Sequence, residues 1–141
     1  MRVVDDHSGP VSTVLRHGGL SVAVMDSIAF ATGEHAGQAI VTGSHGGASA
    51  GEYARRCGVA AVACNDAGIG KDKAGVAGLA ALDGVVGVAV GHDTARIGDG
   101  HDTWANGIIS YVNESAREAG IRVGEPLSAA FTRLAAGGVP C

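Results

Sequence analysis

The sequence VAAVACNDAGIGKDKAG, residues 59–75, changes character twice along its length. Small and β-branched apolar residues run to Cys64, polar residues and glycines follow from Asn65, and an Ala/Leu-rich segment begins after Lys73. This order predicts a strand, a loop and a helix, the repeating unit of α/β proteins. A buried parallel strand delivers the residues after it to the carboxyl edge of the sheet, where the next helix presents unpaired N–H groups. Lys71 and Lys73 both lie in this turn. Their positive charges, together with the unpaired N–H groups of the next helix, predict a site for an acidic or phosphorylated small molecule.

Apolar segments that alternate with helical patterns extend this unit along most of the chain. Strands are predicted at 21–26, 39–42, 59–64 and 85–90, and helices at about 50–57, 73–83, 102–119 and from 126. Continuous rather than alternating apolar strands indicate burial on both faces. The pattern predicts one α/β domain over residues 1–141, a three-layer Rossmann-like or flavodoxin-like fold with a mainly parallel sheet of about four to five strands. Residues 1–19 are expected to form an edge strand or an arm, and 138–141 a frayed tail.

Local signals mark the ends of the predicted helices. Ser49 followed by Glu52 is typical of a capping box, and Asp72 is a suitable N-cap for the helix that follows the glycine-rich loop. The helix predicted over 102–119 depends on Trp104 and Tyr111, which belong to an apolar series at helical spacing.

Composition excludes several functional classes. The net charge of −4 lacks the basic surface that nucleic-acid binding requires, so no nucleic-acid partner is expected. No apolar run reaches the ~18 residues of a membrane span, and the first ten residues carry acidic groups where a secretory leader needs cations, so the expectation is a soluble cytoplasmic protein. Cys57, Cys64 and Cys141 lack CxxC spacing, which indicates reduced thiols rather than disulfides or a structural zinc site.

Each predicted strand is followed by polar side chains at its carboxyl end. These side chains are Asp26, then Ser44 and His45, then Asn65 and Asp66, then His92 and Asp93. The carboxyl ends of parallel strands lie along one edge of an open sheet, and ligands bind in the crevice there. The sequence therefore predicts that these side chains share one pocket.

The segment TGSHG, residues 42–46, supports two interpretations. It approaches the strand–turn–helix nucleophile elbow, with Ser44 as nucleophile, although Thr42 stands where the first glycine would be. The favoured interpretation is a loop in which the amides of Gly43, Gly46 and Gly47 bind an anion that Ser44 also contacts. The string GSHG is also similar, over about five residues, to the nucleotide-binding loop of universal stress proteins. It lacks the downstream glycines of that family, so it assigns no family to the chain.

Two further groups of residues have the chemistry of catalysis. Cys64 closes a buried strand beside the predicted pocket and is a second candidate nucleophile, with a core position as the favoured alternative. The string GHDT occurs at 91–94 and again at 100–103, and a histidine oriented by a carboxylate suits general acid/base catalysis. His92 and Asp93 directly end a strand and are the better candidates, whereas Asp102 is expected to cap a helix.

A metal site is not favoured by the pattern. His45, Asp66, His92 and Asp99 are suitable donors, but they lack a fixed metal-binding spacing. A divalent metal is therefore an alternative rather than an expectation, and no other cofactor is specified.

The leading hypothesis is an enzyme that acts by acid/base chemistry on a carboxylate- or phosphate-bearing metabolite, with hydrolysis expected first and a lyase or isomerase step second. In it, His92 moves the proton and is oriented by Asp66 or Asp93, while Arg96 neutralises developing charge. His45 is a further candidate catalytic residue. The remaining assigned residues position the reacting group or bind the anion, and they are Ser44, Asn65, Gly43, Gly46, Gly47, Gly68, Gly70, Lys71 and Lys73. The alternatives are a non-catalytic module that binds a nucleotide or another anion, and a subunit of a larger complex. Self-association into a homo-oligomer is expected in either case.

Overall fold

The chain forms a mixed α/β fold around a single sheet. A computed structural model describes residues 2–6, 10–17, 20–69 and 73–137. Within them, seven strands are β1 (Arg2–Asp6), β2 (Val11–His17), β3 (Leu20–Met25), β4 (Ala39–His45), β5 (Ala61–Asn65), β6 (Val86–Val90) and β7 (Ile109–Val112). The helices are α1 (Ala48–Cys57), α2 (Ala77–Ala80), α3 (Gly100–Asn106), α4 (Glu114–Glu118) and α5 (Leu127–Ala135), with 3-10 turns at Ile28–Phe30 and Gly33–His35. Gly70, Lys71, the predicted cap Asp72 and the predicted tail 138–141 lie outside the described residues.

The strands lie side by side in the order in which they occur in the chain. β3, β4, β5 and β6 pair in parallel at the centre, whereas β1 with β2, β2 with β3, and β6 with β7 pair antiparallel. The predicted α/β class and the parallel centre are confirmed. The sheet has more strands than the four to five predicted, because residues before Leu20 add β1 and β2 and a segment predicted as helix forms β7.

Both faces of the sheet are covered by apolar packing. Along β3, Val22 and Val24 belong to one buried cluster and Ala23 and Met25 to another, because successive side chains of a strand point to opposite faces. The first cluster is completed by residues of α4 and α5, among them the fully buried Phe131. The second is completed by residues of α1 and α2. The polar groups of the central strands therefore reach solvent chiefly where those strands end.

Three predicted helix features are wrong. The predicted helix over 102–119 is divided into α3, β7 and α4, because Asn113 ends the strand and caps α4 by accepting a hydrogen bond from the amide of Ala116 at 2.9 Å. The predicted helix over 73–83 contracts to α2. The predicted capping box at Ser49 is absent from α1. Its N-cap is Gly47, which has no side chain that could cap the helix.

Within the described part of the chain, no helix has the length and apolar character needed to cross a bilayer.

We expect Asn113→Ala to lower the free energy of unfolding by about 3 kcal/mol. The buried Asn113 side chain accepts from the amide of Gly87 at 3.0 Å and donates to the carbonyls of Leu79 and Val85 at 3.1 and 2.9 Å, in addition to capping α4. Removal leaves buried backbone groups unpaired, and each such group costs ~1 to 3 kcal/mol. Urea unfolding would measure the loss. Asn106→Ala is the matched control, because Asn106 is exposed, and equal effects of the two substitutions would contradict the prediction.

Candidate functional site

The loop between β6 and α3 crosses the carboxyl edge of the sheet and divides it into two cavities. It is tied down on both sides of Ile97, since Asn65 Nδ2 donates to the carbonyl of Ala95 at 3.0 Å and the amide of Gly98 donates to the carbonyl of Gly43 at 2.7 Å. The first cavity, of about 600 Å³, is lined by Ala67, His92, Asp93, Thr94, Ala95, Arg96, Ile97 and Asp102. The second, of about 430 Å³, is lined by Asp26, Ser27, Ile28, Ala29, Gly43, Ser44, His45, Ser49, Ala50, Tyr53, Ile97 and Gly98. Both volumes suit a small-molecule ligand.

Asp66 is the most constrained acidic side chain at this edge. It is buried at the end of β5, with only 5% of its surface exposed. Its Oδ1 accepts hydrogen bonds from the amides of Gly68 at 2.7 Å and His92 at 3.1 Å, and its Oδ2 accepts from the hydroxyl of Ser110 at 2.7 Å. Three donors converge on one carboxylate, which fixes its orientation.

These donors also set the charge of Asp66. Burial alone would raise the pKa of Asp66, but the hydrogen bonds from Ser110, Gly68 and His92, together with the nearby His92 ring, outweigh it and hold the pKa below its usual 3.8. Asp66 is therefore an ionised carboxylate at neutral pH. A buried carboxylate that stays charged is suited to hold a neighbouring cation in place.

The His92 ring lies beside this carboxylate, at the wall of the first cavity. Its Nδ1 is 3.4 Å from Asp66 Oδ1, and 62% of its side chain is exposed. The separation is longer than an ideal hydrogen bond. Gly68 lies against the ring, because a Cβ at that position would be 3.7 Å from His92 Cε1. Asp66 and His92 therefore meet, as the sequence predicted, and of the two predicted partners Asp66 is the one in contact.

The loop that follows Asp66 has an unusual backbone. Ala67, Gly68 and Ile69 have successive φ values of 50°, 76° and 67°, and this left-handed region is unfavourable for a β-branched residue such as Ile69. Their amides donate to Asn65 Oδ1, Asp66 Oδ1 and the carbonyl of Asp66. The amide of Gly68, which the sequence predicts to bind an anion, is thus bonded to Asp66 in this structure.

The glycine loop 43–47 also uses its amides internally. The amide of Gly43 donates to the carbonyl of Asp26, that of Gly46 to the carbonyl of Asn65, and that of Gly47 to His45 Nδ1 at 3.2 Å. Close packing explains the glycines, since a Cβ on Gly43 would lie 2.3 Å from the backbone nitrogen of Asp99. The amides predicted to bind an anion are therefore all bonded within the protein in this structure.

Ser44 and His45 line the second cavity rather than the first. The hydroxyl of Ser44 accepts a hydrogen bond from the amide of Ile28 at 2.9 Å, and its own amide donates to Thr42 Oγ1. This arrangement lacks the serine–histidine hydrogen bond of a nucleophile elbow within the described residues. The sequence predicts His45 and His92 in one pocket, whereas they line two neighbouring cavities that share Ile97, because the loop around Ile97 lies between them.

Two predicted residues are part of the core. Cys64 is fully buried, and burial raises the pKa of its thiol to about 12, although a weak hydrogen bond with Thr42 opposes this shift. A buried neutral thiol is a poor nucleophile, so Cys64 is structural. Asn65 is fully buried as well, and its side chain joins the carbonyl of Ala95 to the amide of Ala67. Asn65 therefore positions loops instead of contacting a ligand.

The first cavity has mixed charge. Arg96 and Asp93 are exposed and line it. Lys73, which the sequence predicts to bind the ligand, lines neither cavity. Asp102 accepts hydrogen bonds from the Asn106 side chain and the amide of Arg96, both at 2.7 Å, and these bonds lower its pKa. One guanidinium therefore lies in the cavity with two carboxylates.

Within the described residues, no three His, Cys, Asp or Glu side chains come close enough together to hold a metal ion. Asp99, one of the candidate donors, caps α3 by accepting from the amide of Asp102 at 2.9 Å.

Comparisons with family profiles, with curated proteins and with solved structures found no match.

Ser110 is the site residue that the sequence reasoning missed. The apolar spacing predicts a helix over this residue, whereas β7 places its hydroxyl against Asp66. The run Ile108–Val112, rich in β-branched and aromatic residues after a glycine, is a strand signal that would have placed it correctly.

We expect Ser110→Ala to raise the pKa of Asp66 and to lower the free energy of unfolding by about 1.5 to 3 kcal/mol at neutral pH. A carboxyl group whose pKa is lowered by folding contributes stability above its unfolded pKa, and that contribution disappears as the pH falls through its folded pKa. The stability difference between wild type and variant should therefore shrink as the pH falls below about 4. Urea unfolding at several pH values would measure it, and Ser110→Thr should restore the hydrogen bond. A difference that does not depend on pH would contradict this account.

Proposed function

We propose that the protein is a hydrolase in which His92 acts as general base and Asp66 orients it. The observation that carries this proposal is the approach of His92 Nδ1 to the ionised, triply hydrogen-bonded Asp66 at the wall of a 600 Å³ cavity. A carboxylate at Nδ1 favours the tautomer that carries its proton there. The other ring nitrogen, Nε2, is then free to accept a proton.

The proposed reaction is attack by water on the carbonyl carbon of an ester, amide or lactone. His92 Nε2 takes a proton from the water as its oxygen bonds to carbon, and Asp66 stabilises the resulting imidazolium. The same nitrogen returns the proton to the leaving group when the carbon–oxygen or carbon–nitrogen bond breaks. Arg96 would neutralise the negative charge that develops on the carbonyl oxygen.

The charges of the first cavity favour one of the two predicted acidic groups of the metabolite, carboxylate or phosphate. Arg96 is the one cation in its described lining, and Asp93 and Asp102 oppose a second negative charge. A carboxylate, with one negative charge, is therefore a better match than a phosphate, which carries nearly two. We accordingly propose a carboxylate-bearing metabolite.

A non-catalytic binding module is the second candidate. It is favoured by the separation of His45 from His92, since a bound ligand can contact two distant histidines without any proton transfer. The internally bonded amides of the glycine loop and of Ala67–Ile69 give less support to a nucleotide than to a smaller anion.

Three broader proposals accompany the hydrolase assignment. Apolar clusters on both faces of the sheet support a three-layer, Rossmann-like classification. Free thiols at Cys57 and Cys64 suit a reducing compartment such as the cytoplasm. The predicted homo-oligomer rests on the sequence alone.

Chromatographic measurement of product formation from a panel of carboxylate-bearing esters, amides and lactones tests the hydrolase proposal. We expect wild-type turnover of at least one class, and His92→Gln to lower kcat by about 100-fold or more. His101→Gln is the control, because neither cavity lining includes His101. Equal activity of the His92 variant and the wild type would refute the proposal.

A further inference from the structure

The side chain of Ile97 lies between the two cavities and lines both of them. It is 50% exposed, although the backbone on either side of it is tied down by the bonds to Asn65 and Gly43. A fixed, exposed isoleucine between two cavities presents an apolar surface to whatever crosses it. Such a surface gains free energy when a ligand covers it.

The second cavity has hydrogen-bonding groups of both kinds. Because His45 accepts from Gly47 at Nδ1, the neutral ring carries its proton at Nε2 and donates there. The oxygen of Ser44 accepts from Ile28, which leaves the hydroxyl hydrogen available as a donor. Asp26 accepts from the amide of Gly100 with Oδ1 at 2.9 Å, so its other oxygen can accept from a ligand.

Charge decides which ligand these groups suit. The described lining of the second cavity includes the carboxylate of Asp26 and no Lys or Arg, so the cavity does not favour an anion. A hydroxyl group both donates and accepts, and it matches the mixture of Ser44, His45 and Asp26. The second cavity is therefore suited to a neutral, hydroxyl-bearing group.

We propose that the two cavities form one substrate groove. An elongated substrate places a hydroxyl-bearing group against Ser44 and His45, its apolar middle crosses Ile97, and its reacting group lies at His92. The position of the reacting group rests on the proposed hydrolase function, whereas binding along the groove does not. Ile97 is then a specificity-determining residue that selects the length of the substrate.

Methyl, butyl and hexyl β-glucosides would test the groove, each with the same hydroxyl-bearing group and a longer apolar chain. Their binding would be followed by NMR through the ring signals of His45 and His92 in histidine-labelled protein, with His45→Gln and His92→Gln to assign them. We expect all three probes to shift the His45 signals saturably, and only the two longer probes to shift those of His92. The Kd should fall about 10-fold from methyl to hexyl, because added methylenes cover Ile97.

Two substitutions complete the test. Ile97→Ala should reduce the gain from the longer chain to about 3-fold or less, whereas Ile108→Ala, an exposed isoleucine that lines neither cavity, should leave it unchanged. The groove proposal is overturned if no probe shifts His45, if chain length affects neither Kd nor His92, or if the two isoleucine variants behave alike. Binding along the groove without any His92-dependent turnover would instead overturn the hydrolase proposal alone.

Discussion

Asp66→Asn is expected to lower kcat by about 1,000-fold while KM changes little. The asparagine oxygen can still accept from the amides of Gly68 and His92, and its NH₂ group can donate to the hydroxyl of Ser110, so the loop keeps its geometry. What disappears is the negative charge that stabilises the imidazolium of His92. The amide oxygen, which takes the place of Oδ1, still accepts from His92 Nδ1, so the ring keeps its tautomer and the fall in kcat reports the lost charge. Steady-state kinetics on a substrate found in the panel of esters, amides and lactones would measure both constants.

Two aspartates serve as comparisons for Asp66→Asn. Asp93→Asn tests the other residue that the sequence proposed to orient His92. We expect its kcat to stay within about 3-fold of wild type, because an exposed carboxylate that does not hold the His92 ring has a small effect. Asp83→Asn controls for the loss of one negative charge at an exposed position outside both cavities. If Asp93→Asn abolishes turnover and Asp66→Asn does not, Asp93 is the orienting residue and the proposed pair is wrong.

The parallel core of the fold and the meeting of Asp66 with His92 were predictable from sequence. Both follow from one local rule, that polar residues after buried strands gather at the carboxyl edge of a parallel sheet. The rule does not depend on the exact bounds of the strands. It therefore held even though β5 and β6 begin later than predicted.

What sequence did not predict depends on contacts between distant residues. The separation of His45 from His92 follows from the hydrogen bond between Gly98 and Gly43 and from that between Asn65 and Ala95, and local pattern carries no signal for either. The glycines of the loop 43–47 are predicted to bind a ligand, but the same pattern of glycines is typical of two features: a loop whose amides bind an anion, and close packing of the backbone. Only the positions of neighbouring backbone atoms distinguish the two.

The largest effect on stability is expected from Gly78→Ala, at about 3 to 5 kcal/mol of unfolding free energy. A Cβ on Gly78 would lie 1.9 Å from the carbonyl oxygen of Gly47, far inside van der Waals contact. Backbone cannot turn aside as a flexible side chain can, so α2 must move away from the start of α1. That movement weakens the hydrogen bond from the amide of Gly78 to the carbonyl of Gly46, which is 2.9 Å long. Urea unfolding would measure the loss.

Substitutions at two other glycines show whether the loss of stability in Gly78→Ala comes from lack of space or from backbone conformation. Gly33→Ala should change stability by no more than ~0.5 kcal/mol, because open space surrounds Gly33 and its backbone suits alanine. Gly84→Ala meets equally open space but at a φ of +72°, so it should cost about 1 kcal/mol from conformation alone. A loss at Gly78 no larger than that at Gly84 would mean that α2 moves aside easily. In that case the contact between Gly78 and Gly47 does not hold the loop 43–47, and with it Ser44 and His45, in the position that the substrate groove requires.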